Sequence, residues 1–443
     1  MKVISGLVCI LFFVSCSTKE PIKTVPIAVK ETQKEQKKQT ITFLSQDIQK
    51  YLERFQSNGT KLSQEKYEKN YFAVWNIKES KKTPKELMWA FDAFRYGKSY
   101  GENLQLIEKE FFTQMKENAN FEHFSSVNKP AISLDELNIR AFPTDKPVLR
   151  NPELAGEGFP FDYMQNSTIH ANKPLFVTHY SKDKEWVHVL SSFAFGWVKT
   201  KDIAFLKPYQ KELWQKAEQA VVVKEDVPLY TKEGKFLFKT KLGMMFALID
   251  EDEESYTLLC VGNYKFSEPL FLEVQISKNV VHKGILVFNK ENLTNVLPQF
   301  LRRKYGWGGM YDDRDCSSTL RDFYAPFGLW LPRNSYQQSK VGEVVSLDKL
   351  TNEEKQELIM KKAVPFQTLL YKRGHIVLYT GTVDGKITIL QNVWGVKTKE
   401  NGAEGRYIVG KTIFSTLELG KELSNYDKDA SMLKNLKSFN ILF

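Results

Sequence analysis

The chain has 443 residues, 26% of them charged and 42% hydrophobic, with a formal net charge of +10; this exceeds one comfortable core, so three or four domains are expected. Of four cysteines, Cys9 and Cys16 lie in an apolar leader and only Cys260 and Cys316 remain, which excludes a disulfide framework. A basic balance suits polyanions, but Lys is interspersed with Glu and Asp, no Arg cluster is present, and no nucleic-acid partner is expected.

Residues 1–16 place one basic residue before a short apolar run, which reads as a signal peptide rather than a membrane span. Phe13-Val-Ser-Cys16 resembles a bacterial lipobox, which implies lipidation at Cys16, and Ser17 after it resembles the sorting signal for an outer membrane. The expected location is therefore exported and periplasmic, with a lipid anchor in the outer membrane; a plain secreted protein is the alternative. Residues 17–40 are charged and poor in apolar side chains, as in a solvated tether.

Residues 41–130 read as a helical domain. Ile48, Tyr51, Leu52 and Phe55 fall at helical spacing, as do Leu104, Ile107, Phe111 and Met115. Ser63 and Thr83 stand at helix starts, the second followed by Pro84. The aromatic run Tyr71-Phe-Ala-Val-Trp75 either docks on a neighbouring domain or forms a local core.

From 134 to 206 the pattern changes to short β runs such as Lys173–Tyr180 and Glu185–Leu190, the spacing of a small barrel. Arg140-Ala-Phe-Pro-Thr144, Phe161-Asp-Tyr163 and Gly196-Trp-Val198 resemble the bacterial SH3-like domain. A second barrel fits 216–285, where Cys260 reads as a core residue of an apolar strand. His170, His179 and His188 are expected at the surface or in the barrel; their spacing does not make a metal site.

The region 288–443 carries the chemistry. A Gly-rich loop, Tyr305-Gly-Trp-Gly-Gly309, leads to Asp315-Cys316-Ser317 and at once into an amphipathic helical pattern. A cysteine at a helix N-terminus meets unpaired N–H groups and the positive end of the helix dipole, which favour thiolate over thiol. The only histidine beyond residue 290 is His375, which opens a strand; Asp384-Gly385 then marks a hairpin into a second strand carrying Gln391 and Asn392. A Cys on a helix facing a His on a strand is the papain-like arrangement, with a third polar group holding the imidazole tautomer. Ideal pairing about Asp384-Gly385 puts Asn392 on the face of His375, and one bulge would put Gln391 there instead.

Taken with Leu331-Pro-Arg-Asn-Ser335, Gly374-His375 and Asn392-Val-Trp-Gly395, these pieces resemble the NlpC family of bacterial cell-wall cysteine peptidases. The resemblance implies Cys316 as nucleophile, His375 as base and Gln391, standing where the family more often shows His, as its orienting partner. It also implies Asp315, Ser317, Ser335 and Tyr305 around the free amine of an L-Ala residue. A first barrel packed at the mouth of the site would add Asp162 and Tyr163. Ser318 departs from the family, in which glycine is frequent at that place.

The fold expected is thus α+β and multidomain: a helical N-terminal region, two SH3-like barrels and a papain-like catalytic domain. The activity expected is cleavage of the γ-D-glutamyl-diaminopimelate bond in peptidoglycan stem peptides with a free N-terminal L-Ala, through a thioester and without metal or cofactor. Two alternatives stand beside it: an inactive cell-wall-binding lipoprotein, and an acyltransferase using the same thiol.

Overall fold

In the computed structural model, the structure describes residues 40–56, 59–265 and 268–443. The expected signal peptide, the lipidation site Cys16 and the tether up to residue 39 lie outside them. Among the described residues, no helix is long and apolar enough to cross a membrane.

The C-terminal sheet is antiparallel, in the strand order Glu343–Ser346, Leu436–Ile441, Thr368–Lys372, His375–Val383, Lys386–Glu400, Ala403–Thr416. The strand opened by His375 is apolar on both faces, so it buries both. Ile376 and Leu378 pack with Leu320, Phe323 and Tyr324 of the helix Cys316–Tyr324, whereas Val377 and Tyr379 pack with Ile359 of the helix Asn352–Lys362. A helix with the cysteine at its first turn is thereby pressed onto the strand that begins with the histidine.

Upstream lie two antiparallel β units. The first is a seven-stranded sheet from Lys129–Ser133 to Ile203–Phe205; the second combines five strands with the two-stranded pair Pro228–Tyr230 and Phe236–Lys239. Alternation in Pro174–Tyr180 sends Leu175 and Val177 into the first unit's own core, and Phe176 outward into a shared cluster with Trp75 and Phe246. The run Tyr71–Trp75 therefore docks: the Trp75 indole N–H donates to the Ala131 carbonyl at 2.8 Å, and the Met245 N–H donates to the Tyr71 hydroxyl at 3.4 Å.

The N-terminal region is helical in short pieces. Ser63 caps Gln64–Tyr71, and Thr83 forms a reciprocal capping box with Glu86 ahead of Pro84–Leu87. The expected periodicity from Leu104 holds only in part. The helix is Lys109–Asn118, and Leu104 sits before it with φ of +62° and its side chain largely exposed. Tyr51, Leu52 and Phe55 leave this region altogether and enter the core of the C-terminal domain, where Tyr51 stacks on Phe414 at 3.8 Å.

Candidate active site

Asp315 caps the helix Cys316–Tyr324, accepting from the Ser318 N–H at 2.8 Å while its own N–H donates to the Ser318 hydroxyl at 2.9 Å. Ser318, the departure from glycine, thus completes a capping box that glycine could not. Cys316 follows at the first helical position, buried, with the N–H groups of Ile376 and Ser317 close enough to act on its thiol.

The histidine's partner depends on one irregularity. The strands His375–Val383 and Lys386–Glu400 pair as Gly381 with Thr388 but Tyr379 with Ile389, so one residue bulges between Tyr379 and Gly381. The bulge turns Gln391 toward His375, and its side-chain oxygen lies 2.8 Å from His375 Nε2. Asn392 turns the other way, donating to the Arg314 carbonyl at 2.7 Å and the Thr319 hydroxyl at 3.1 Å, so it braces the cysteine helix.

Proton bookkeeping along this chain fixes the tautomer. The Ser415 hydroxyl donates to the Thr416 carbonyl, so toward Gln391 it can only accept; the Gln391 amide donates to it at 2.7 Å. The Gln391 oxygen therefore faces His375 and holds the proton on Nε2, leaving Nδ1 with the free lone pair. Gln391→Leu should strand that buried N–H at a cost of about 1–3 kcal/mol and lower kcat roughly tenfold to a hundredfold. Steady-state kinetics would show it as a kcat effect with little change in KM.

Burial outweighs the helix dipole at the thiol. Burial first, then the Asp315 charge, push Cys316 up to about 12, against the Ile376 N–H, Arg333 and the Ser317 N–H. Burial, followed by Lys372, lowers His375 to about 4 despite the Gln391 hydrogen bond. The resting pair is neutral thiol and neutral imidazole. That revises the thiolate expected from sequence, because the groups that desolvate the site come from distant parts of the chain.

The residues expected around a substrate amine are brought near the thiol only in part. Both oxygens of Asp315 are engaged by Arg333, at 2.6 and 3.2 Å, and the Ser317 hydroxyl is held by the same pair. Arg333 also donates to the Ser167 hydroxyl of the first β unit at 2.7 Å. Sequence reasoning missed this arginine although it lies two residues before Ser335, within a segment already singled out. Ser335 begins a one-turn helix, Ser335–Gln338, that Gln338 ties to the Ser317 carbonyl at 2.8 Å. Tyr305 lines the cleft beside His375 and Gln391, its ring 5.9 Å from Trp394.

Asp162 is not available as a substrate contact. Its carboxylate accepts from Arg140 at 2.7 Å and from the Val148 and Met164 N–H groups, so it organises its own loop. Tyr163 packs edge-on against Trp307, and its hydroxyl donates to Glu157, a second acid of that loop, at 2.7 Å. Phe161 bridges Trp307 and Trp394, with ring centroids 5.2 and 5.4 Å away, so the loop of the first β unit covers the aromatic edge of the cleft.

Two glycines permit that closure. Gly308 and Gly309 have φ of +61° and +90°, and a Cβ at Gly309 would collide with the Thr168 side chain. Gly309→Ala should cost about 1–3 kcal/mol in backbone strain alone; a reduced midpoint in urea and a lower kcat/KM, as the Tyr305 loop lifts from the strand Gln165–Ile169, would report it.

The other titratable clusters are internal. His170 lies between Glu136 and Asp322 at 3.4 and 3.6 Å, buried rather than at the surface, and His179 and His188 are buried in the first β unit. Cys260 is a buried free thiol, as expected of a core residue. Among the described residues, no group of three or more His, Cys, Asp or Glu is placed to hold a metal ion.

Comparison with known families matches all four regions: the NLPC_P60 stabilising domain, N term, at residues 5–124; an SH3 domain of SH3b1 type at 147–199; an SH3 domain of SH3b2 type at 208–253; and the NlpC/P60 family at 302–401. Among solved structures, an NlpC/P60 endopeptidase from Photobacterium damselae subsp. piscicida is 23% identical with a TM-score of 0.79, covering 91% of this chain and 98% of its own. An NlpC/P60 family protein from Bacillus cereus is 17% identical with a TM-score of 0.43, covering 62% of this chain and 81% of its own. No curated protein matches.

Proposed function

We propose that this chain, whose C-terminal domain belongs to the NlpC/P60 family, is a peptidoglycan hydrolase that cuts the γ-D-glutamyl-diaminopimelate bond of stem peptides. The observation that carries the reading is the Ser415–Gln391–His375 relay ending beside a helix-N-terminal thiol. His375 Nδ1 takes the Cys316 proton as the sulfur attacks the γ-carbonyl carbon of D-Glu. The N–H groups at the helix start, that of Cys316 first, would stabilise the tetrahedral oxyanion. Collapse breaks the C–N bond, the imidazolium returns its proton to the leaving amine, and water then hydrolyses the thioester with His375 again as base.

Preference for a free L-Ala amine is supported by sterics. The loop carrying Phe161 and Tyr163 stands over Trp307 and Trp394, where a sugar-linked peptide would have to continue. Since Asp162 and Asp315 spend their charge on Arg140 and Arg333, Glu157 beside Tyr163 is the acid proposed to meet the ammonium. Ser317, Ser335 and Tyr305 would complete the pocket.

The test incubates mature protein and Cys316→Ala with free L-Ala-γ-D-Glu-diaminopimelate and with the same peptide on muramic acid, and products are weighed by mass spectrometry. L-Ala-D-Glu released by the wild type alone, and preferentially from the free peptide, is expected. Equal cutting of both would discard the gate; a folded protein that cuts neither would favour a wall-binding role. A wall substrate places the protein outside the cytoplasm. Anchoring through lipidated Cys16 in an outer membrane is part of the proposal, with release into the soluble fraction expected for Cys16→Ala.

A further inference from the structure

The cleft beside His375 is unbalanced in charge. It measures about 320 Å³ and extends from Tyr305 and His375 along the hairpin of strands Lys386–Glu400 and Ala403–Thr416. Lys372, Arg373 and Arg406 line it, and among the described residues none of them forms an ion pair with a carboxylate. Asp427, an acid on its wall, is matched by Lys397 at 3.6 Å, and Lys397 also pairs with Glu404. Arg406 makes one hydrogen bond, to the Gly405 carbonyl at 2.9 Å, and its guanidinium lies against Gly156 of the loop from the first β unit. Lys372 pairs with His375 across the turn between strands. Burial and then Arg406 lower its proton affinity, while Cys316 raises it, so both cations sit near the reacting sulfur.

Cations gathered in a partly buried cleft without a counter-charge are costly unless an anion joins them. The position says which anion. The cleft includes the base and its partner but not Asp315, Ser317 or Ser335, the residues assigned to the acyl side. A base that returns a proton to the leaving amine faces the residue being released, so the cleft takes that residue. Resting on the peptidase reading above, we propose that Arg406 and Lys372 receive the side-chain carboxylate of the released diamino acid and make diaminopimelate preferred over lysine. Lysine has the same amine but no carboxylate at that end. A planar guanidinium can hold a carboxylate through two parallel hydrogen bonds.

The test compares kcat/KM on L-Ala-γ-D-Glu-diaminopimelate, its lysine analogue, and the diaminopimelate peptide with D-isoglutamine in place of D-Glu. Wild type should prefer diaminopimelate over lysine by at least about tenfold, since a polar site left unpaired rejects the analogue lacking its partner. Arg406→Gln should bring that ratio toward one, and Arg406→Lys should recover part of it; matched thermal melts exclude misfolding. Equal wild-type cutting of the lysine peptide would overturn the proposal and leave the peptidase reading intact. If the Arg406→Gln loss follows amidation of D-Glu instead, the carboxylate bound is the substrate's own glutamyl group and the proposal fails. Cleavage of none of the three would remove the peptidase reading itself.

Discussion

His375→Ala should lower kcat by roughly 10²- to 10⁴-fold, the range a positioned general base supplies, with the fold intact. The wild-type acid limb should lie near pH 4, well below that of a free imidazole near 6.5. The sign follows from burial: the imidazole held at about 4 is already neutral through the mildly acidic range, so activity is lost only as pH falls through that value. A thiolate–imidazolium resting pair predicts the opposite assignment, with the acid limb set by the thiol. Profiles of kcat/KM for wild type and Gln391→Leu separate the two, since loss of Gln391 moves an imidazole-controlled limb further down. Circular dichroism must accompany the acid points. His375 and His179 both have folded values near 4, below their unfolded ones. The unfolded chain then binds more protons between pH 6.5 and 4, and stability drains away over that window.

Arg333→Met should destabilise the protein by about 3–5 kcal/mol, the cost of leaving one member of a buried ion pair uncompensated. Burial alone would raise Asp315, yet Arg333 leads the terms that keep it ionised. Without the guanidinium, a carboxylate at the helix N-cap either remains as an unpaired buried charge or takes up a proton and weakens the cap. The same change frees Ser317 and releases the bond to Ser167 in the first β unit. Chemical denaturation of Arg333→Met, Asp315→Asn and the double variant gives the coupling. A double variant little worse than either single one is expected, and fully additive losses would show that the two side chains do not act as a pair.

Much of the site could be read from the chain because its parts are local. Asp315-Cys316-Ser317, the helix start and the Asp384-Gly385 turn each carry their geometry within a few residues. The choice between Gln391 and Asn392 could not be settled by spacing, since one bulged residue reverses the face. A signal did exist: Gly381 lies inside an otherwise apolar strand, a mark of bulges and close approach. Its φ is +113°, and Arg54 occupies the space a Cβ would need. What escaped the sequence is long-range. Arg333 as partner of Asp315, the closed thiol, and Asp162 turned inward to Arg140 all arise from segments that meet only in the fold. Leu104 failed for a different reason: a periodic pattern does not reveal a left-handed residue just ahead of the helix.

Four matched families suggest parts that evolution or an engineer could exchange one at a time. The packing argues otherwise. Tyr51, Leu52 and Phe55 complete the same core as Phe288, Phe323 and Phe414, and Arg54 donates to the Thr382 carbonyl at 3.0 Å. A fragment starting at residue 288 would carry the whole reactive constellation and still present an open apolar wound where those aromatic side chains belong. The hydrolytic unit is thus inseparable from a segment more than two hundred residues upstream, and transplanting it requires moving both ends of the chain together.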